Sequence, residues 1–147
     1  MTNHKMAANR LGIIGWAFGG RWGMERYIYT LHRLTGLGLF FYFLIHIFVT
    51  SSRMFGKEVW ESVMGVVNNP FFHFGELLVY IAFCFHALNG VRLVLIELGF
   101  AVGKPEEPIY PYRSSLNTQR PLLIIVMLAA GVCILLGGFD ILFLSAH

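Results

Sequence analysis

Charge is what this sequence has least of. Lys, Arg, Asp and Glu make up 13% of the chain and apolar residues 56%, against about 25% and 45–50% in an ordinary soluble domain. A soluble globular class is therefore excluded in favour of one solvated by lipid. Cysteine is nearly absent, with Cys84 and Cys133 the only two. Both fall inside apolar runs and no CxxC pair exists, which excludes a disulfide framework and a thiolate zinc site. Both are expected to be buried small hydrophobes. Of 5 prolines, three stand at 105, 108 and 111, so helices elsewhere are free to run long. A cleavable secretory signal is not expected: "LGIIGWAF" is short, and "GGRWGMER" follows it in place of a small-residue cleavage site. No lipid-anchor motif, internal repeat or low-complexity tract is visible.

What is present is three long apolar stretches, at about 28–51, 71–100 and 121–144. Each reaches the roughly 20 residues that carry a helix across about 30 Å of hydrocarbon. The expected fold is all-α, an integral membrane protein of three transmembrane helices forming a single domain over residues 1–147. Lys5, Arg10, Arg21 and Arg26 precede the first span, and Lys104, Arg113 and Arg120 lie between the second and third. The first inter-span loop has only Arg53 and Lys57, offset by Glu58 and Glu61. Seven basic residues against two place the N-terminus in the cytoplasm (or a mitochondrial matrix) and the C-terminus outside. The cell's inner membrane is the expected location, ahead of the mitochondrial one. The net charge of +3 is divided by the spans rather than gathered on one face, so membrane lipid and no nucleic acid is the expected surroundings. The proline-interrupted loop "GKPEEPIYPYRSSLNTQR" suits contact with a soluble partner. The N-terminal 27 residues, with Trp16 and Trp22, lie on the membrane surface or dock under a partner.

Ionisable groups inside a span are costly and point to function. His32 opens the first span, His46 lies toward its far end, His73 opens the second, and His86 is deepest, in "AFCFHALNGVRLVLIELG". His4 and His147 are terminal and carry no expectation. A neutral imidazole in apolar surroundings suits the axial position of a haem iron. Gly90, four residues on, leaves room on nearly the same helix face for a flat porphyrin. The competing reading is a histidine that hydrogen-bonds between helices, with Gly90 serving ordinary small-residue packing. Counting from the span boundaries puts His46 and His86 at different levels, about 10 Å apart at 1.5 Å per residue. Each then needs its opposite ligand from elsewhere, most simply a second membrane subunit, unless His46 pairs with His73 at the outer side.

At the cytoplasmic end of the first span, "YIYTLHRLTG" collects Tyr29, Thr30, His32 and Arg33. Donors for carbonyl oxygens, beside an apolar cleft with a route to water, are what a quinone requires. Haem propionates would also choose His32 or Arg33; an interfacial belt of snorkelling side chains is the structural alternative. Arg92, six residues past His86, lies about 9 Å nearer the cytoplasm. That depth suits a propionate, but the helix angle turns it toward a partner helix or Glu97. Glu76 either hydrogen-bonds His73 or carries protons, and Asp140 is assigned no purpose. Phe40, Phe41, Phe43, Phe83 and Phe85 read as packing or lipid-facing surface.

With "LHRLTG" and "FHALNGVRLVLIELG" in hand, the chain resembles the larger membrane-anchor subunit, cytochrome b type, of succinate dehydrogenase (respiratory complex II). The first motif is His-Arg-x-Ser/Thr-Gly, here His32, Arg33, Thr35 and Gly36. The second is His-x-x-x-Gly-x-Arg followed by an acidic residue, here His86, Gly90, Arg92 and Glu97. The likeness runs from about Tyr29 through Phe100 and extends to the three-helix layout. It implies that His86 is an axial ligand of the inner haem b and that Arg33, with residues just before His32, borders the quinone site. It also implies a second, outer haem on His46. Tyr29 stands where the family often has serine, so Thr30 is the candidate replacement; Glu97 replaces aspartate, and Leu93 a histidine found in some members. The implied partners are a flavoprotein subunit, an iron–sulfur subunit, a small second anchor and quinone. No residue here suits succinate oxidation itself, so this is a non-catalytic subunit that positions cofactors. The alternatives are the di-haem cytochrome b of another quinone-linked dehydrogenase or of a fumarate reductase, and, in a different class, a haem-free transporter or scaffold.

Overall fold

A computed structural model of the protein describes residues 23–103, 110 and 115–144. The N-terminal segment with Trp16 and Trp22, and most of the proline-interrupted loop, lie outside the described residues. The chain is helical throughout the described part: α1 is Met24–Ser51, α2 is Lys57–Val67, α3 is Pro70–Glu97 and α4 is Leu116–Phe139. A 3-10 turn, Ser52–Phe55, extends α1, and a π turn, Asp140–Leu144, ends α4. Three segments, Met24–Phe55, Pro70–Glu97 and Leu116–Leu142, are long and apolar enough to cross a membrane. The all-α, three-span architecture expected from the sequence is the one observed.

The boundaries move for identifiable reasons. α1 begins at Met24 because Gly23, at φ 82°, turns the chain into it. α3 starts on Asn69, whose Oδ1 accepts from the amides of Phe71 at 2.9 Å and Phe72 at 3.3 Å, with Pro70 in the first helical position. It ends at Glu97, short of the expected 100. There Gly99, at φ 90°, donates to Ile96 O while Phe100 N reaches Leu95 O, a glycine-capped helix end. α4 begins at Leu116 and runs through Pro121, five residues before the expected start. The ring removes one hydrogen bond near the helix end, where the loss is smallest.

The sequence reading missed α2. At 11 residues it is too short to span. Lys57 and Glu61 pair across one turn at 3.5 Å, and the Arg53 guanidinium lies 5.0 Å above the Trp60 ring, tying the end of α1 to α2.

α3 is the central helix, packed against both α1 and α4. The core is small: Ile28, Phe85 and Leu123 meet with Met127, one contribution from α1, one from α3 and two from α4. On the α3–α4 side the Tyr80 hydroxyl donates to the Cys133 carbonyl at 2.8 Å, and Gly137 makes space for the Tyr80 phenol, which a Cβ there would overlap. Most other large apolar side chains are exposed, including Phe40, Phe41, Phe43 and Phe83. In a chain of this length such a surface is lipid- or partner-facing rather than wet. Phe85 is the exception within the phenylalanine group. Cys84 is buried as expected, but Cys133 is exposed, at the surface of α4 beside the carbonyl that accepts from Tyr80.

Candidate functional site

The contact between α1 and α3 is built on two histidines. The rings of His32 and His86 stack with centroids 4.0 Å apart and planes 3° from parallel. Each sits against a glycine of the opposite helix. A Cβ on Gly36 would come 2.7 Å from His86 Cε1, and a Cβ on Gly90 would come 3.7 Å from His32 Cε1. Each helix therefore carries His-x-x-x-Gly, and each glycine clears the way for the other helix's imidazole. The room at Gly90 is used by His32.

Because Gly36 has no side chain, His86 reaches the α1 backbone. Its Nδ1 lies 3.0 Å from the His32 carbonyl oxygen and 3.3 Å from Thr35 Oγ1. Thr35 Oγ1 is itself within donor range of the Leu31 and His32 carbonyls, at 2.9 and 3.0 Å. A carbonyl only accepts, so Nδ1 of His86 carries the proton and Nε2 presents a lone pair. Among the described residues no hydrogen bond engages that Nε2, and the ring is half-buried. An Nδ1–H held by a backbone carbonyl, with a free Nε2, is how proteins present a histidine to a metal.

Sequence reading missed Asn89, between His86 and Arg92. It is completely buried, at 0% exposure. Its Oδ1 accepts from Arg92 Nε at 3.0 Å, so Arg92 folds back along α3 instead of pairing with Glu97. Among the described residues Asn89 Nδ2 has no partner; neither does His32 Nδ1, nor Arg26 Nε. Three buried, unsatisfied polar atoms on the N-terminal half of α1 and the C-terminal half of α3 form a concentration that is uncommon in a finished interface. The clue in the sequence was an amide at a position that must face a neighbouring helix.

The three proposed quinone contacts separate. Tyr29 and Arg33 are exposed and share one face: Arg33 Nη1 is 3.4 Å from the Tyr29 hydroxyl and the guanidinium lies 5.6 Å from its ring. Thr30 is buried, because one residue turns the helix by about 100°. Near the same end of the bundle, Glu25 of α1 accepts from Arg120 Nε of α4 at 2.9 Å.

His46 lies on the exposed face of α1, with Nδ1 3.4 Å from the Tyr42 hydroxyl. Since His32 and His86 share one level, His46 is fourteen residues along α1, or about 21 Å away. That is twice the separation counted from the boundaries, because α1 starts earlier and places His32 well inside the helix. His73 faces acceptors at both ring nitrogens, Glu76 Oε2 at 3.3 Å and Asn68 Oδ1 at 3.1 Å. Among the described residues no hydrogen bond, ion pair or ring contact joins it to His46. An open cleft of about 250 Å³ beside Tyr42, with Glu76 and Tyr80 in its lining, separates α1 from α3 at this level.

Among the described residues no group of three or more His, Cys, Asp or Glu is placed to hold a bare metal ion. Haem asks less, one axial nitrogen per face. His86 meets that requirement in tautomer. His46 is exposed, and among the described residues its Nε2 is unengaged by hydrogen bonds.

Fold and site together define a multi-pass helical membrane protein with an imidazole pair between its first two spans. The model of the succinate dehydrogenase/fumarate reductase transmembrane subunit family matches residues 17–136, and the chain belongs to that family. It is 26% identical over 106 residues to the Mycobacterium tuberculosis succinate dehydrogenase 2 membrane subunit SdhC, covering 72% of this chain and 74% of that protein. It is 30% identical over 97 residues to the Halobacterium salinarum succinate dehydrogenase hydrophobic membrane anchor subunit, covering 62% of this chain and 73% of that one. No solved structure matches. Membership makes the chain a membrane subunit of a larger enzyme complex, associated with that complex's other subunits.

Proposed function

We propose that this subunit binds haem b through His86 at its inner half and a second haem through His46 at its outer half, and that it forms part of a quinone site at Tyr29, Thr30 and Arg33. In this reading it anchors a flavoprotein and an iron–sulfur subunit to the cell's inner membrane, beside a second, smaller anchor that supplies the opposite axial ligands. The seven-to-two division of basic residues supports an N-terminus in the cytoplasm and a C-terminus outside.

One observation carries the haem assignment. The His86 Nδ1–H is held at 3.0 Å by the His32 carbonyl, which leaves Nε2 as an unengaged lone pair in apolar surroundings. Bound haem would supply a one-electron carrier. The chain's own residues do the rest: Thr35 and the His32 carbonyl fix the ligand ring, Gly36 admits it, and the exposed apolar faces of α1 and α3 exclude water. Arg92, held by Asn89, provides a cation on the inner side for a carboxylate. Tyr29 and Arg33 offer donors to a quinone oxygen at the membrane boundary, with Thr30 acting from the buried face as helper rather than as direct contact. Electrons entering from succinate through iron–sulfur centres would leave to the quinone at that inner end.

The test uses the assembled complex in membranes. Succinate as sole donor should reduce a low-spin haem b in difference spectra, and His86→Ala should remove the inner haem. A complex with no Soret band, or a stoichiometric low-spin haem surviving His86→Ala, would overturn the assignment. The family description covers fumarate reductases as well, so the same sample should be assayed with quinol and fumarate. Faster fumarate reduction than succinate oxidation would favour that alternative.

A further inference from the structure

Two of the unsatisfied buried atoms are chemically complementary. Asn89 Nδ2 can only donate, and among the described residues it has no acceptor although the residue is 0% exposed. His32 Nδ1 is also buried and unpartnered, and an imidazole nitrogen accepts when the other nitrogen carries the proton. Both residues belong to the α1–α3 contact. His32 lies against Gly90, next to Asn89 in the chain, and stacks on His86, one turn away from Asn89 on the same side of α3. Arg92, which Asn89 holds through Oδ1, is within Coulombic range of His32.

We infer that Asn89 is a positioning residue for His32: its amide N–H donates directly to His32 Nδ1 and so fixes His32 in its Nε2–H tautomer. Leaving a buried donor and a buried acceptor both unsatisfied is unfavourable, and one amide-to-imidazole bond removes both. Arg92 Nε–H occupies the Asn89 carbonyl oxygen, which prevents the amide from flipping and keeps its N–H side available as a donor.

The consequence is a pair of stacked imidazoles in opposite tautomers. His86, pinned at Nδ1–H by a backbone carbonyl, presents a lone pair at Nε2. His32, accepting at Nδ1, presents an N–H at Nε2. One ring offers a ligand to a metal; the other offers a hydrogen bond to an oxygen of the bound group, a carboxylate or a carbonyl. This assignment of use rests on the cofactor reading above, but the tautomer itself does not.

The experiment therefore reads the proton and the cofactor separately. The full complex, with its histidines labelled by ¹⁵N, is examined by solid-state NMR, and the His32 signals are identified by their loss in His32→Gln. The expected result is a protonated Nε2 and a bare Nδ1 in the unmodified protein. Asn89→Asp keeps the acceptor for Arg92 but replaces the donor by a carboxylate oxygen, so the proton should move to His32 Nδ1. Asn89→Leu should leave a mixture of both tautomers. A proton on Nδ1 in the unmodified protein, or a His32 spectrum unchanged by both substitutions, would overturn the inference. Haem content, from the Soret band of the same samples, tests the cofactor reading independently: its absence would remove haem and leave the tautomer result standing.

Discussion

The imidazoles of His32 and His86 lie face to face, 4.0 Å apart and within 3° of parallel, and each occupies space that a glycine on the other helix leaves open. The two glycines are not equivalent. At Gly36 an added methyl would stand 2.7 Å from His86 Cε1, inside van der Waals contact, with Nδ1 at 3.3 Å and Nε2 at 3.6 Å. At Gly90 it would stand 3.7 Å from His32 Cε1, an ordinary contact.

Gly36→Ala is therefore expected to be the harsher substitution, although Gly90 is the glycine in the same motif as the ligand. The ring must move off the His32 carbonyl, and overpacking of this kind costs about 1–3 kcal/mol. In purified complex, Gly36→Ala should lose most of the haem attributed to His86 and lower the thermal midpoint, while Gly90→Ala retains both nearly unchanged. Equal retention of haem in the two variants would mean that the ring's anchoring at α1 does not govern ligation.

The Glu25–Arg120 pair joins the N-terminal turn of α1 to the N-terminal part of α4, with Nε and Oε1 2.9 Å apart. Arg120 is half-exposed, so the contribution should stay near the surface value of at most about 1 kcal/mol. Glu25→Gln should lower the thermal midpoint of the complex slightly at low salt and by less at high salt, where the pair is screened. A loss that persists undiminished in high salt would show that Glu25 acts through something other than this ion pair.

Much of this architecture was legible because hydropathy is a one-dimensional signal. Three apolar runs gave three spans. The caps that set their ends, Asn69-Pro70 and Gly99, are also visible to the eye, yet counting apolar residues carried the second span past Gly99 to 100. α2 escaped because 11 residues with Lys57, Glu58 and Glu61 among them look like a charged loop. His86 stood out as an isolated imidazole in lipid. Its stacking on His32 did not, since periodicity tells which residues share a face of one helix but not which face its neighbour turns toward it. The same limit explains why Gly90 was matched to a porphyrin before it was matched to His32, and why Thr30 was grouped with Tyr29 and Arg33. Asn89 escaped because attention went to groups that ionise, and an amide that never ionises can be the most deeply buried polar side chain in a bundle.

Arg33 and Thr30 offer a clean contrast, one exposed and one buried. Arg33→Ala removes a cation from the outward face without opening the core. It should slow electron delivery from succinate to quinone by an order of magnitude or more while leaving haem content and thermal midpoint in place; a loss of 10-fold corresponds to about 1.4 kcal/mol of binding or transition-state stabilisation. Thr30→Ala should act mainly on stability, lowering it by about 1 kcal/mol through truncation of a buried side chain, with a smaller effect on quinone kinetics than Arg33→Ala. Normal quinone reduction by Arg33→Ala would remove that residue from the site.

His46 tests the outer half. It is exposed on α1, about 21 Å from the level of the stacked pair, and its Nδ1 approaches only the Tyr42 hydroxyl at 3.4 Å. Two haems at these two levels would be ligated independently, so the count should fall one at a time. Pyridine haemochrome analysis of the whole complex should give two haems for the unmodified protein, one for His46→Ala and one for His86→Ala, with different midpoint potentials for the survivors because their surroundings differ. Tyr42→Phe should keep both haems and shift only the outer potential, since the phenol touches the ring but not a metal. An unchanged haem count in His46→Ala would assign that histidine to the lipid or partner face alone and reduce the subunit to a single inner haem.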